Sequence, residues 1–217
     1  MIKMPKLYPK LQDFVEKLPQ QFTNISNIRR PSFEYIATEI HQVLQTQGKA
    51  DLMFVCTHNS RRSHTSQIWA QTAAYYYDIP GIRCFSGGTE ATAFYKTAVQ
   101  VLRDAGFVIE AQNANQPVTT NPIYKVQFAD DAPSFKVFSK KYEDAPNPKR
   151  NFIAIVNCSQ ADESCPVIEG AQHRFALLFQ DPKKYDNTEF EKIKYAERCL
   201  QIGCEVFYLF DLLKKMQ

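Results

Sequence analysis

Asp51-Leu52-Met53-Phe54-Val55-Cys56-Thr57-His58-Asn59-Ser60-Arg61-Arg62-Ser63 sets the terms for the rest of the chain. Its first six residues are a short apolar run, the pattern of a parallel strand buried on both faces. A polar loop follows, and then a helical stretch carrying Ile68, Trp69, Ala73 and Ala74. A loop leading from a strand into a helix N-terminus can aim successive backbone N–H groups at one oxyanion, and the helix dipole favours negative charge at the same spot. The same surroundings favour a thiolate at Cys56 over its thiol. Arg62, at the end of a C-x5-R spacing, offers a planar fork of donors matching two oxygens of a tetrahedral anion. Ser63 is placed to donate a hydroxyl bond to the Cys56 sulfur, and Asn59 suits side-chain bonds that hold the loop. Thr57, His58, Ser60 and Arg61 complete the candidate oxyanion contacts.

Outward from this loop, strands and helices alternate. Ile82 to Phe85 reads as a second strand, ending in Ser86-Gly87-Gly88-Thr89, and Ala98, Val99, Leu102 and Ala105 mark a helix closed by Gly106. Residues 152–156 form a third buried strand and Arg174 to Phe179 a fourth. From about Glu189, Ile193, Ala196, Leu200, Phe207 and Phe210 fall along one face of a C-terminal helix. Residues 1–48 read as a helical extension: Leu7, Leu11, Phe14, Val15 and Leu18 recur at helical spacing, and a second helix starts near Pro31 and stops at Gly48. The expected fold is therefore α/β, a four-stranded parallel sheet with helices on both faces, in a domain spanning 49–217. An insertion at about 117–148 interrupts it. There Tyr124, Val126 and Phe128, then Phe135 and Val137, alternate around Asp130-Asp131-Ala132-Pro133, a β-hairpin signal. Sites of such sheets lie beyond the carboxyl ends of the strands, where Cys56, Ser86, Cys158 and Asp181 fall.

The composition bounds the function. With 217 residues, 44% of them hydrophobic, the chain is long enough for one sizeable core, and its net charge of +3 gives no general nucleic-acid surface. No apolar run reaches the length of a membrane span, and no apolar h-region follows the N-terminus, so the expected location is cytoplasmic with no membrane partner. Cys56, Cys84, Cys158, Cys165, Cys199 and Cys204 match no zinc spacing, and in a reducing compartment a cysteine pair is more often catalytic than structural. Cys84, in a strand, and Cys199 and Cys204, on the last helix, read as buried structural thiols.

Phe54-Val-Cys-Thr-His-Asn-Ser-Arg-Arg-Ser63 resembles the phosphate loop of low-molecular-weight protein tyrosine phosphatases and of the thioredoxin-coupled arsenate reductases related to them. Ser86-Gly-Gly-Thr-Glu90 resembles the Ser-Ala-Gly-Thr-Glu after the family's second strand, and Asp181-Pro182 resembles its Asp-Pro, whose Asp is the general acid. The resemblance runs over roughly residues 51–215, and it implies the flavodoxin-like fold of that family. It also separates two branches. Asn157-Cys158-Ser-Gln-Ala-Asp-Glu-Ser-Cys165-Pro166 matches the reductases, which carry two cysteines seven apart followed by Pro. It thus implies a relay: Cys56 attacks arsenate, Cys158 attacks the Cys56 sulfur, and Cys165 takes over the disulfide, which thioredoxin or a similar dithiol reduces. Without the resemblance, Cys158 and Cys165 are two separate thiols and Asp181 a turn residue before Pro182. Lys183 and Lys184 follow Asp181 where phosphotyrosine-directed members place aromatic residues, which favours a small inorganic anion. A phosphatase using Cys56, Arg62 and Asp181 alone is the alternative, and a non-catalytic oxyanion or redox module a third.

The chain departs from the family at His58 and Gln67, and residues 1–48 and the 117–148 insertion have no counterpart in the family's minimal fold. His58 stands where the family usually has Gly. His64 is expected on the surface of the first helical turn. Gln67 replaces a Glu that, with Asn59 and Ser86, helps some arsenate reductases bind potassium, which argues against potassium here; no other tightly bound cofactor or metal is expected. Seven helical residues span about 10.5 Å, whereas a disulfide needs Cα atoms within about 7 Å. A helical Cys158–Cys165 segment must therefore loop out to oxidise, and the polar stretch Ser159 to Ser164 is expected to oppose this little.

Overall fold

The computed structural model describes residues 6–112, 120–165 and 167–217. In chain order its elements are α1 (Pro9–Val15), α2 (Leu18–Gln21), α3 (Arg30–Gln47), β1 (Ala50–Cys56), α4 (Arg62–Tyr76), β2 (Ile82–Gly88), α5 (Lys96–Ala105) and β3 (Val108–Ala111). There follow β4 (Tyr124–Gln127), β5 (Phe135–Val137), β6 (Phe152–Val156), α6 (Ser159–Ser164), β7 (Ala171–Ala176) and α7 (Glu191–Lys215).

The opening apolar run becomes β1, buried at every residue and placed inside a four-stranded parallel sheet of order β2-β1-β6-β7. The register sets Cys56 beside Gly88 and Val55 beside Val156, so the carboxyl ends of three strands meet at one edge. Successive side chains go to opposite faces. Leu52, Phe54, Ile153 and Ile155 join a large cluster with Trp69, Phe207, Phe210 and the N-terminal Leu7, Leu11 and Phe33. Met53, Val55, Ala154 and Val156 join a smaller cluster with Cys56, Cys158, Ala161 and Ile168. Helices cover both faces, but unequally: α3, α4, α5 and α7 share the first cluster, and the short α6 alone supplies helical residues to the second.

The expected strands and helices are present with altered bounds. The fourth strand ends at Ala176 rather than Phe179, because Leu177 and Phe179 bond back to Val156 and Asn157 in a loop leading to Asp181. Gly48, at φ 68°, ends α3 in the left-handed conformation that glycine adopts without strain. The β4–β5 hairpin forms, and β3 adds a third, antiparallel strand that the sequence did not announce. Only Ile109 of β3 is buried, so no alternation marked it. Residues 117–119 of the expected insertion lie outside the described residues.

The inward face of α7 also differs from expectation. Ile193 and Leu200 are 58% and 40% exposed, and the early part of the helix buries Tyr195, Cys199 and Ile202 instead. Every residue from Ile202 to Phe210 is buried, because α3, α4 and α5 surround this part of the helix. Phe207 and Phe210 therefore say nothing about which face the exposed first turns present.

Candidate active site

Cys56 ends β1 and is buried. Between it and α4 the loop turns its carbonyl groups outward, onto donors from neighbouring segments. Thr89 N–H donates to Cys56 O at 3.2 Å, Glu90 N–H to Thr57 O at 2.8 Å, Ser139 Oγ to His58 O at 2.9 Å and Tyr95 N–H to Ser60 O at 2.9 Å. Among the described residues, none of the amides of His58, Asn59, Ser60 and Arg61 donates within the protein. Four unspent amides at a helix N-terminus are what an oxyanion cradle requires. Asn59 accommodates the turn at φ 44°. Gly88 closes it from the side: a Cβ there would meet Thr57 O at 2.6 Å and Asn59 N at 2.7 Å.

A chain of hydrogen bonds leads from the insertion to the nucleophile. Lys140 N–H donates to Asn59 Oδ1 at 3.0 Å, which fixes the amide's orientation. Asn59 Nδ2 then donates to Ser63 Oγ at 2.8 Å, and Ser63 Oγ lies 3.0 Å from Cys56 Sγ. The Ser63 oxygen accepts from Asn59, so its own proton is free to be donated to the sulfur. Sequence reasoning found Asn59 and Ser63 but missed Ser139 and Lys140. They lie 81 positions from the loop residues they hold, and no local pattern connects the two segments. The segment after β5 runs along the edge of β2, with Gly88 N–H donating to Lys140 O and Tyr142 N–H to Gly88 O, both at 2.9 Å. The Lys140 side chain is 5% exposed, and burial pushes its pKa down to about 8.

His64 is the main correction. It is not a surface residue of the first turn but fully buried, because α4 is enclosed along its first turns. Its Nδ1 lies 3.0 Å from Ser86 Oγ and its ring packs on Phe94. Burial, with the nearby Lys140 charge, holds its pKa well below the usual histidine value, so the imidazole is neutral.

Arg62 points its fork away from the helix. One Nη donates to Phe179 O at 3.0 Å and the other to Asp181 Oδ2 at 2.6 Å, and its Nε has no protein partner. Asp181 thus stands at the loop, and its other oxygen accepts from Lys183 N–H at 3.0 Å. The Arg61 side chain turns elsewhere. It bonds Tyr195 Oη and Asp186 Oδ2, both at 2.5 Å, and its guanidinium lies 4.2 Å from the centre of the Tyr95 ring. It ties the start of α4 to the segment after Asp181, leaving only its backbone N–H for an anion. His58 is half-buried, with Nε2 3.5 Å from Glu90 Oε2.

Cys158 caps α6 at its N-terminus and Cys165 follows at its C-terminus. Cys158 is buried in the small cluster with Cys56, and Cys165 packs against it, half-buried. Cys158 Sγ accepts from Ala161 N–H at 3.4 Å and lies 3.4 Å from Thr57 Oγ1, a loop residue. Pro166 lies outside the described residues. The resistance to opening is greater than the polar sequence suggested. Ala161 is fully buried, and Arg174 donates to Asp162 Oδ1 at 2.6 Å, to Asp162 O at 3.0 Å and to Cys165 O at 3.2 Å. Cys84, Cys199 and Cys204 are buried away from the loop, and burial raises all three thiols, Cys199 to about 12 and Cys204 to about 11.

Among the described residues no helix is long and apolar enough to cross a membrane. No family model matches the chain. An arsenate reductase of Bacillus licheniformis is 27% identical over 151 residues, covering 70% of this chain and 87% of the relative. One of Brevibacillus brevis is 22% identical over 148 residues, covering 68% and 88%. Of solved structures, a low-molecular-weight phosphotyrosine phosphatase from Vibrio cholerae superposes with a TM-score of 0.48 at 17% identity, covering 75% of this chain and 95% of that one. An arsenate reductase from Archaeoglobus fulgidus gives 0.47 at 16% identity, covering 74% and 98%.

Proposed function

We propose that this chain, a member of the family that holds the arsenate reductases and the low-molecular-weight phosphatases, reduces arsenate to arsenite through three of its own thiols. The observation that carries the reading is the place of Cys158: buried in one cluster with Cys56, 3.4 Å from Thr57 of the oxyanion loop, and one short helix away from Cys165.

Arsenate enters the cradle of unspent amides, and Arg62 exchanges Asp181 for two of its oxygens. The Cys56 thiolate, held by Ser63, attacks arsenic. The Asp181 carboxylate, released by Arg62, takes a proton from solvent or from the arsenate hydroxyl and delivers it to the departing oxygen, which leaves as water, and a sulfur–arsenic bond remains. The Cys158 thiolate then attacks the Cys56 sulfur. A sulfur–sulfur bond forms, and the electron pair of the sulfur–arsenic bond stays on arsenic, which leaves as arsenite. Cys165 attacks the Cys158 sulfur and frees Cys56. Two thiols have given two electrons, and the Cys158–Cys165 disulfide passes to thioredoxin or a similar external dithiol. That last bond requires α6 to unwind, since its ends are about 10.5 Å apart as a helix and must come within about 7 Å.

No step is routed through potassium. Gln67 is uncharged; its Nε2 donates to Cys84 O at 3.0 Å while its Oε1 is buried with no protein partner, Ser86 is engaged with His64, and Asn59 bonds Lys140 and Ser63.

Cys56, Arg62 and Asp181 alone also suffice for hydrolysis of a small phosphate ester, with water in place of Cys158. The Arg62–Asp181 pairing at 2.6 Å favours retaining this second activity. Arsenate-dependent NADPH oxidation, coupled through thioredoxin and its reductase, tests the main reading. Turnover with the whole chain supports it, and hydrolysis of a phosphate ester with no arsenate turnover leaves the phosphatase.

A further inference from the structure

Most of the arginines near the loop have a carboxylate within ion-pair distance: Arg61 has Asp186, Arg62 has Asp181 and Arg29 has Glu205. Arg198, on α7, has none among the described residues, although Arg62 and Arg29 are close enough to repel it. Its Nε is buried without a partner, and its one hydrogen bond runs to Gln201. Burial and those two arginines push its pKa down, with Glu205 and Glu197 offsetting part of the effect. Both of those carboxylates are ion-paired elsewhere, Glu205 with Arg29 and Glu197 with Lys194, so a further countercharge would favour the half-buried guanidinium.

Arg198 lines a cavity of about 100 Å³ with Gln180, Asp181, Lys184, Tyr185 and Lys194. The carboxylates in its wall are already engaged, Asp181 by Arg62 and Glu197 by Lys194 at 2.8 Å. Lys184 lies over the Tyr185 ring and has no carboxylate partner among the described residues. Arg198 and the exposed Lys184, neither with a carboxylate at ion-pair distance among the described residues, thus share one small cavity that opens beside Asp181.

We propose that this cavity is a second anion subsite, taking a phosphoryl or carboxylate group against Arg198 and Lys184. The group is either a free oxyanion or the second anionic group of a ligand whose first sits in the Cys56 loop. The subsite does not depend on the reductase reading, because it serves any oxyanion chemistry at Cys56.

Calorimetric titration of the whole reduced chain with inorganic phosphate tests it. Two phosphates per chain are expected. Arg198→Gln should weaken one of them by about tenfold or more and leave the other unchanged, which also shows that the variant is folded. Lys184→Gln should weaken the same one, and Arg198→Lys should restore part of it. Arg62→Gln should remove the other, so the two sites fail separately. Methyl phosphate and phosphoglycolate then distinguish the sources. If the second anion belongs to the ligand, phosphoglycolate binds about tenfold tighter than methyl phosphate in the wild type and equally in Arg198→Gln. If it is a free ion, the two bind alike and phosphate adds to the methyl phosphate complex. A single phosphate per wild-type chain, or a second one indifferent to both Arg198→Gln and Lys184→Gln, overturns the proposal.

Discussion

The Cys56–Arg62 loop and the Cys158–Cys165 segment stand at the same edge of the sheet, yet they are held in opposite ways. The loop is fixed from several sides: its carbonyls accept from Thr89 and Glu90 just after β2, from Tyr95 ahead of α5 and from Ser139 of the insertion, and the Asn59 side chain accepts from Lys140. The Cys158–Cys165 segment is one six-residue helix on the thinly covered face, anchored by Ala161 and by Arg174. A nucleophile that must meet a tetrahedral anion gains from fixed donors, because they need no reorganisation as charge develops. A dithiol that must close a bond across a helix gains from weak local structure, which opens at low cost. The proposed function asks for fixed chemistry in the first region and movement in the second.

The largest expected effect comes from the fixed region. Cys56→Ser should lower both arsenate turnover and phosphate ester hydrolysis by about 10⁴-fold or more, measured in parallel assays. In the movable region, Cys158→Ser and Cys165→Ser should each abolish arsenate turnover and leave ester hydrolysis near wild type. Equal loss of both activities would mean that the segment also shapes the cradle.

The buried polar layer behind the loop carries a pH signature. His64 is neutral in the folded chain and titrates near 6.5 when unfolded. Its folded pKa is depressed, so the unfolded chain takes up the proton first as pH falls. The stability is present above about pH 6.5 and is lost below it, by up to about 1.4 kcal/mol per pH unit. Denaturant melts at pH 5 to 7 should show this slope, flattened in His64→Asn. Ser139→Ala removes the bond to the His58 carbonyl and the acceptor of Thr92 N–H, at a cost of about 1 kcal/mol or more, and should lower ester hydrolysis about fivefold and the thermal midpoint by about 2–4 °C. The smallest effect is on α6. Arg174→Met breaks a half-exposed clamp worth about 0.5–1 kcal/mol after solvent screening, and should speed formation of the Cys158–Cys165 disulfide about threefold under mild oxidant.

The same contrast separates what was readable in sequence from what was not. β1, the loop and the start of α4 were legible because strand, cysteine, arginine and helix follow one another within local pattern length. So was the hairpin, whose alternation surrounds a turn signal. The supports were not. Ser139 and Lys140 reach the loop through a long-range contact, β3 buries only Ile109, and His64 looks like any polar residue of a helix N-terminus until α4 is seen enclosed. Arg61 reads as a second anion ligand beside Arg62, but Tyr95, Tyr195 and Asp186 claim it. The Ser159–Ser164 stretch reads as free to open because its composition hides Ala161 and the reach of Arg174.

A single-turnover experiment tests the central division between a fixed nucleophile and a movable dithiol. The fully reduced chain is mixed with arsenate in the absence of any other thiol, and arsenite, free thiols and disulfide position are determined. The expected result is one arsenite per chain, the loss of two thiols, and a disulfide mapped to Cys158 and Cys165 with Cys56 again free. No arsenite, or a disulfide that forms while α6 keeps its amide protection, would contradict it.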